Sequence, residues 1–172
     1  MKKIGIIIGR FQVPTLHKGH LHLISSVLEL TDEVHIFIGT AKPENQFTPH
    51  DSLPYEARRA MILDSYPILT ESNIHEIPDI GNWELWVKDL DARIENLNLN
   101  GEIFICGSRD SVAIKYKAFH GKFANLIIPE LKGFSGTNAR KQIEQEYEPD
   151  WNNEENRKLV IWLASKYGKR ND

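Results

Sequence analysis

Short apolar runs alternate with longer stretches of helical periodicity along this chain. Ile4 to Ile8 is almost continuous in β-branched residues, the pattern of a strand covered on both faces, and Gly9 ends it. From Lys18 to Leu30 the apolar residues Leu21, Ile24, Val27 and Leu28 recur at helical spacing. Val34 to Ile38 predicts a second strand, with Gly39 after it. Ala41 to Pro54 holds three prolines and few apolar anchors, and reads as a long loop. Tyr55 to Ser65 is a helix with Ala57, Ala60, Met61, Ile62 and Leu63 on its apolar side. Ile74 to Ile77 predicts a brief strand, and Trp83 to Leu97 a helix with Trp83, Trp86, Val87, Leu90 and Ile94 in register. Glu102 to Cys106 is a fourth strand followed by Gly107, Val112 to Phe119 is helical, and Phe123 to Ile128 is a fifth strand. Two more helices are expected over Ser135 to Glu146 and Glu154 to Tyr167.

This repeated alternation predicts an α/β domain, a Rossmann-like doubly wound parallel sheet of five strands with helices on both faces. Ligands in such sheets sit beyond the carboxyl ends of the strands, where the strand order reverses. The 172 residues are read as one domain, with a core over about residues 4–146 and a last helix over about 154–167. Hydrophobic residues at 41% and charged residues at 26% describe a globular chain. The 21 Lys and Arg against 24 Asp and Glu leave a charge of -3, which supplies no electrostatic footprint for nucleic acid or an anionic membrane. A single cysteine, Cys106, excludes an internal disulfide and any multi-cysteine metal site. The amino terminus has no secretory pattern, and no run approaches the ~18 apolar residues of a membrane span. A cytoplasmic protein is expected.

Two segments carry chemistry. The first joins the first strand to the first helix: Gly9-Arg10-Phe11-Gln12, Val13-Pro14-Thr15-Leu16, then His17-Lys18-Gly19-His20. His17 and His20 fall on one face of the opening helical turn, where unsatisfied N–H groups also point outward. With Gly19 between them and Arg10 before them, they suit phosphate oxygens. An exposed histidine pair or a metal site is the alternative, although no third ligand is evident. The second segment is Gly133-Phe134-Ser135-Gly136-Thr137-Asn138-Ala139-Arg140. Ser135 is a good N-cap, and Thr137 and Arg140 share a face, so this is either a capped helix or a second anion cradle. Neither GxxxxGK[ST] nor GxGxxG after the first strand is present.

Together these segments resemble the nucleotidylyltransferase superfamily, marked by an HxGH turn and an SxTxxR helix start. Within it the resemblance is closest to the archaeal-type nicotinamide mononucleotide (NMN) adenylyltransferases. Tyr55-Glu56-Ala57-Arg58-Arg59-Ala60-Met61-Ile62 is similar to that family's YEERxxMI helix, and Asp79-Ile80 with Leu85-Trp86-Val87 to its nicotinamide-binding segment. Gly107-Ser108-Arg109-Asp110 falls where the family keeps its adenine-side loop. One departure is a longer first loop, in which Val13 and one of Thr15 or Leu16 look inserted, so a bulge is expected there.

The resemblance implies transfer of AMP from ATP to NMN, giving NAD and pyrophosphate, with Mg2+ on the phosphates. It implies His17, His20 and Arg140 as catalytic residues. For ATP it adds Gly9, Arg10, Phe11, Gly107, Ser108, Asp110, Ser135 and Thr137, with Arg10 and Arg140 on the β- and γ-phosphates. For NMN it implies Gly39, Thr40, Arg58 and Trp86, the last stacking on the pyridinium. Taken without the resemblance, Trp83 and Trp86 are core residues, Arg58 and Arg59 are solvated helix charges, and Asp110 is a helix cap as readily as an adenine contact. His22, His35, His50, His75 and His120 form no constellation and receive no role. A cytidylyltransferase, a pantetheine-phosphate adenylyltransferase and a non-catalytic nucleotide sensor are the competing readings. The chain ends before any Nudix domain, so a single activity is expected. A homo-oligomer is compatible with the sequence.

Overall fold

Parallel strands need long crossovers, and each crossover here is built around a helix. The computed structural model describes residues 1–13, 15–48, 51–108 and 111–129. In chain order the elements are β1 (Lys3–Gly9), α1 (Lys18–Leu30), β2 (Glu33–Thr40), α2 (Tyr55–Ser65), β3 (Ile74–Pro78), α3 (Trp83–Asn96), β4 (Glu102–Gly107), α4 (Val112–Ala118) and β5 (Ala124–Ile127). All strand pairs are parallel, in the order β3-β2-β1-β4-β5. The Rossmann-like sheet expected from the pattern is present, and its strands and helices begin and end within two residues of the expected bounds. The two helices expected over 135–146 and 154–167 lie outside the described residues, as do Asp110, Ser135, Thr137 and Arg140. No described helix is long and apolar enough to cross a membrane.

Alternation along β1 divides the core in two. Ile4 and Ile6 face α3 and α4, in a cluster with Phe37, Ile77, Trp86, Leu90 and Tyr116. Ile7 faces α1 and α2, with Ile24, Val27, Ile36, Met61 and Ile62. Because α1 and α2 cover one face and α3 and α4 the other, the winding reverses between β1 and β4. Both strands at that point end in glycine. A Cβ on Gly9 would lie 2.9 Å from the Phe11 ring, and one on Gly107 would lie 2.2 Å from Ser111 Oγ. What these glycines admit is the chain itself, turning back over its own strand ends.

Two expectations change. The long loop after β2 contains a 3-10 turn at Pro43–Asn45, and Leu53 is buried. It is tied to the first loop by Gln12, whose Nε2 donates to Leu53 O at 3.1 Å while Leu53 N donates to Gln12 Oε1 at 2.9 Å. In the first loop Phe11 has φ 53°, Val13 and Leu16 are buried, and Thr15 is exposed. Histidines given no role also meet. His35 on β2 contacts Glu33 Oε1 through Nε2 at 2.7 Å and His75 Nε2 on β3 through Nδ1 at 2.9 Å, and Lys2 pairs with Glu33. His75 also packs on Phe37, ring centroids 4.8 Å apart.

Burial, and then the neighbouring His35, pushes the His75 pKa down to about 4. In the unfolded chain this imidazole takes a proton below about 6.5, whereas the folded one stays neutral until about 4. The folded state therefore loses stability as pH falls through that window, and the loss levels off below it. Urea midpoints measured from pH 7 to 5 are expected to fall for the parent protein and to fall less steeply for His75→Gln. Parallel slopes would remove this coupling.

Candidate active site

The head of α1 is capped by a histidine. His17 Nδ1 accepts from Gly19 N at 3.0 Å and His20 N at 3.3 Å, in place of the usual hydroxyl or carboxylate. That use of Nδ1 puts the proton of the neutral ring on Nε2. Burial lowers the His17 pKa, against a smaller rise from His17's own backbone, which favours the neutral ring. His17 Nε2 is buried and makes no hydrogen bond within the described residues. The ring stacks on His20 at 3.7 Å between centroids, 16° from parallel, and Phe11 packs against the far ring at 5.1 Å. His17 is thus acceptor to its own helix through Nδ1 and keeps Nε2 as its donor nitrogen.

Beyond the ends of β1, β2 and β3 lies a cavity of about 250 Å3, lined by Arg10, Gly39, Thr40, Asp79 and both Trp83 and Trp86, among others. Its aromatic corner is edge-to-face, with the two indoles 5.5 Å apart at 77°. Trp86 is 9% exposed and belongs to the α3 core as well as to the cavity wall. Trp83 is 41% exposed, with Phe119 stacked on it at 6.4 Å and Lys115 Nζ 5.9 Å from its ring. The resemblance points to Trp86 for the acceptor and gives Trp83 no site role, yet Trp83 is the more exposed indole on this wall. The signal was available, since the first residue of a helix is the one least covered by its neighbours.

Arg10 lines this cavity, and its guanidinium meets Asp51 Oδ1 at 2.6 Å and Asp79 Oδ2, also on the cavity wall, at 3.4 Å. Asp79 is held in turn by Gly81 N, which donates to its Oδ1 at 2.9 Å. Neither carboxylate was singled out from the sequence as a site residue, because only the fold carries positions 51 and 79 to position 10.

Arg58 is not a solvated helix charge. It is 2% exposed, and its Nη1 donates to Arg10 O at 2.7 Å and Gly39 O at 2.6 Å. Desolvation lowers its pKa to about 10, partly offset by Asp51, so it remains cationic at neutral pH. Thr40, which is buried, donates to Glu76 Oε1 at 2.9 Å. On the β4 side Ser111 caps α4, with its Oγ accepting from Ala113 N at 3.2 Å and donating to Ser108 O at 2.7 Å. The cap considered for Asp110 is therefore supplied by Ser111. His22 Nε2, two residues beyond His20, meets Pro129 O at 2.8 Å, which brings the chain after β5 to the side of α1. Cys106 is buried packing, its thiol pKa pushed up to about 12 by desolvation.

The model of the cytidylyltransferase-like family matches residues 6–123. A nicotinamide/nicotinic acid mononucleotide adenylyltransferase of Acinetobacter baylyi is 26% identical over 176 residues, 83% of this chain and 92% of that protein. A nicotinamide-nucleotide adenylyltransferase of Aeropyrum pernix is 33% identical over 94 residues, 52% of each. A crystal structure of a bifunctional NMN adenylyltransferase/ADP ribose pyrophosphatase from Francisella tularensis shares the fold, with a TM-score of 0.68 at 23% identity. It aligns with 85% of this chain and 43% of its own, so the present chain spans less than half of that protein. A second structure of it is complexed with AMP and manganese ion.

Arg58→Ala would leave two strand-end carbonyls without their donor inside the protein. The expected loss is about 2–4 kcal/mol of unfolding free energy. Arg59→Ala, at a half-buried position with an ion pair of 3.8 Å, should stay within about 0.5 kcal/mol. Urea denaturation of both variants checks the contrast.

Proposed function

The chain belongs to the cytidylyltransferase-like family, and from that premise we propose that it transfers AMP from ATP to NMN, forming NAD and pyrophosphate. The observation that carries the reading is one juxtaposition at the carboxyl edge of the sheet. The loop after β1 links its two parts: Gly9 and Arg10 line a cavity walled by two indoles and a carboxylate, and the same loop leads to a helix head with a buried, proton-bearing imidazole nitrogen. The helix head suits phosphate oxygens, and the cavity suits a flat cation. The names of the relatives from Acinetobacter and Aeropyrum support the same acceptor.

In the proposed reaction an oxygen of the NMN 5′-phosphate attacks the α-phosphorus of ATP. The bond to the bridging oxygen of the β-phosphate breaks, and pyrophosphate leaves with its electron pair. Such a transfer asks the protein for placement and charge stabilisation rather than covalent chemistry. His17 Nε2–H would meet charge developing on the α-phosphate, with His20 stacked against His17 to hold its plane. A protonated Nε2 suits a phosphate oxygen and not a metal ion, so the divalent ion, proposed as Mg2+, would be held through the phosphates of ATP. Arg140, Ser135 and Thr137, and Gly107 with Ser108, keep their proposed places around the triphosphate and the adenosine. Arg10 is reassigned from the triphosphate to the acceptor cavity. Arg58 supports that cavity from beneath, and Gly39 and Thr40 shape its floor.

Incubation with ATP or CTP and a panel of phosphorylated acceptors, with products identified by mass, should yield NAD from ATP and NMN. Tight ATP binding with no product from any acceptor would instead indicate a sensor. His20→Ala should lower kcat at least ~100-fold with a smaller effect on ATP affinity. Trp83→Ala should raise the KM for NMN about 5- to 30-fold at little cost in Tm, as expected for a lost stacking face. Trp86→Ala removes a buried side chain and should lose ~3–5 kcal/mol of stability, impairing both substrates. Unchanged NMN kinetics in a stable Trp83→Ala protein would argue against the aromatic acceptor site.

A further inference from the structure

Within Gly9-Arg10-Phe11-Gln12, the proposed reaction gives Gln12 no role. Its side chain is 4% exposed, and both of its polar atoms are engaged by one residue. Nε2 donates to Leu53 O at 3.1 Å and Leu53 N donates to Oε1 at 2.9 Å, so side chain and backbone pair as facing residues of antiparallel strands do. Leu53 is itself buried, in the segment that carries Asp51 and leads into α2. The same two stretches of chain meet twice more, through Arg10 and Asp51 at 2.6 Å and through Arg58 Nη1 and Arg10 O at 2.7 Å. Five residues beyond Gln12 the first loop reaches His17, whose ring caps α1 through Nδ1. Val13 and Leu16 hold the chain between them down by burial, but apolar packing has no direction and tolerates sliding. Paired hydrogen bonds to a backbone fix register as well. That matters here, because misplacing a reacting group by about 1 Å can lower a rate ~100-fold.

We propose that Gln12 is a positioning residue for the AMP transfer. By pairing with Leu53 it sets where the first loop sits on the segment before α2, and with it the place of the His17 ring at the head of α1. The consequence for rate rests on the adenylyltransferase reading, whereas the placement of the ring does not.

Two variants test it. Gln12→Leu removes both hydrogen bonds at nearly unchanged volume, and Gln12→Glu makes the pairing depend on a proton. A neutral Glu side chain can donate to Leu53 O and accept from Leu53 N as the amide does, whereas a carboxylate meets that carbonyl with no proton. Burial and the carboxylates Asp51, Glu56 and Glu76 on the adjoining pocket favour the neutral acid, against Arg58. Steady-state constants are measured well below each variant's Tm, from pH 8 to pH 6, as ratios to the parent at the same pH. Gln12→Leu is expected to lower kcat about 10- to 100-fold throughout, with the KM for ATP changed about threefold or less. Gln12→Glu should match that loss at pH 8 and regain most of it at pH 6. Gln46→Leu, which removes an amide bond to Ala41 O within the second loop alone, should keep the parent's kcat. A clamp that serves stability only would lower Tm and leave both kcat ratios near one, and that result overturns the proposal. Should Gln12→Leu fail to fold, Gln12→Glu prepared at pH 6 decides by itself. Nitrogen-15 spectra of the His17 ring at pH 8, assigned with His17→Gln, add a readout that needs no turnover. The parent should show one tautomer with its proton on Nε2, and Gln12→Leu a mixture of two. If the parent forms no NAD, the adenylyltransferase reading fails, while an unchanged His17 spectrum in Gln12→Leu overturns the placement by Gln12.

Discussion

One buried guanidinium holds the carboxyl ends of two adjacent strands together. Arg58 reaches from α2 to the carbonyls of Arg10 and Gly39, just past the end of β1 and near the end of β2. Backbone carbonyls at strand ends have no ladder partner, and out of water each needs a donor. Both bonds leave a single nitrogen, Nη1, whose two N–H groups are held in the plane of the guanidinium. The consequence runs outward. With Arg10 O pinned, the Arg10 side chain is directed over Gly39 into the cavity, and its guanidinium meets Asp51 and Asp79. Gln12, the second residue on, then locks the first loop to Leu53.

The site as a whole follows from where the sheet reverses its winding. β1 sends its helix to one face and β4 to the other, leaving a crevice between their carboxyl ends. The head of α1 stands on one side of that crevice and the head of α4 on the other. Each is capped by a side chain that ties it to its own strand loop: His17 for α1, Ser111 for α4. Using histidine as the cap joins two tasks in one ring. Nδ1 closes the helix, which fixes the tautomer and leaves a protonated Nε2 without a partner among the described residues.

Charge is kept low around this crevice. The neutral His17 is favoured by burial, and Arg10 is balanced by carboxylates before any ligand arrives. On the cavity wall the charges of Arg10 and Asp79 balance each other.

Short-range pattern was enough for the elements, the parallel α/β class and the two histidines at the head of a helix. Each of those depends on residues within one turn or one strand, where periodicity and capping chemistry act locally. The family motifs are legible for the same reason, since HKGH and GRFQ are contiguous. What the chain order conceals is every relation between separate loops. Arg58 reads as a surface charge on α2 until the sheet places two bare carbonyls above it. The pairing of Arg10 with Asp51 and Asp79, 41 and 69 positions away, is not legible in the chain order. Trp83 and Trp86 look alike at helical spacing, and only the position of α3 over the sheet makes one a core residue and the other a cavity wall. The His35–His75 contact is equally invisible, because register between β2 and β3 is set by the packing of whole strands. Local chemistry is written along the backbone, whereas desolvation and charge pairing depend on distances that only the folded chain creates.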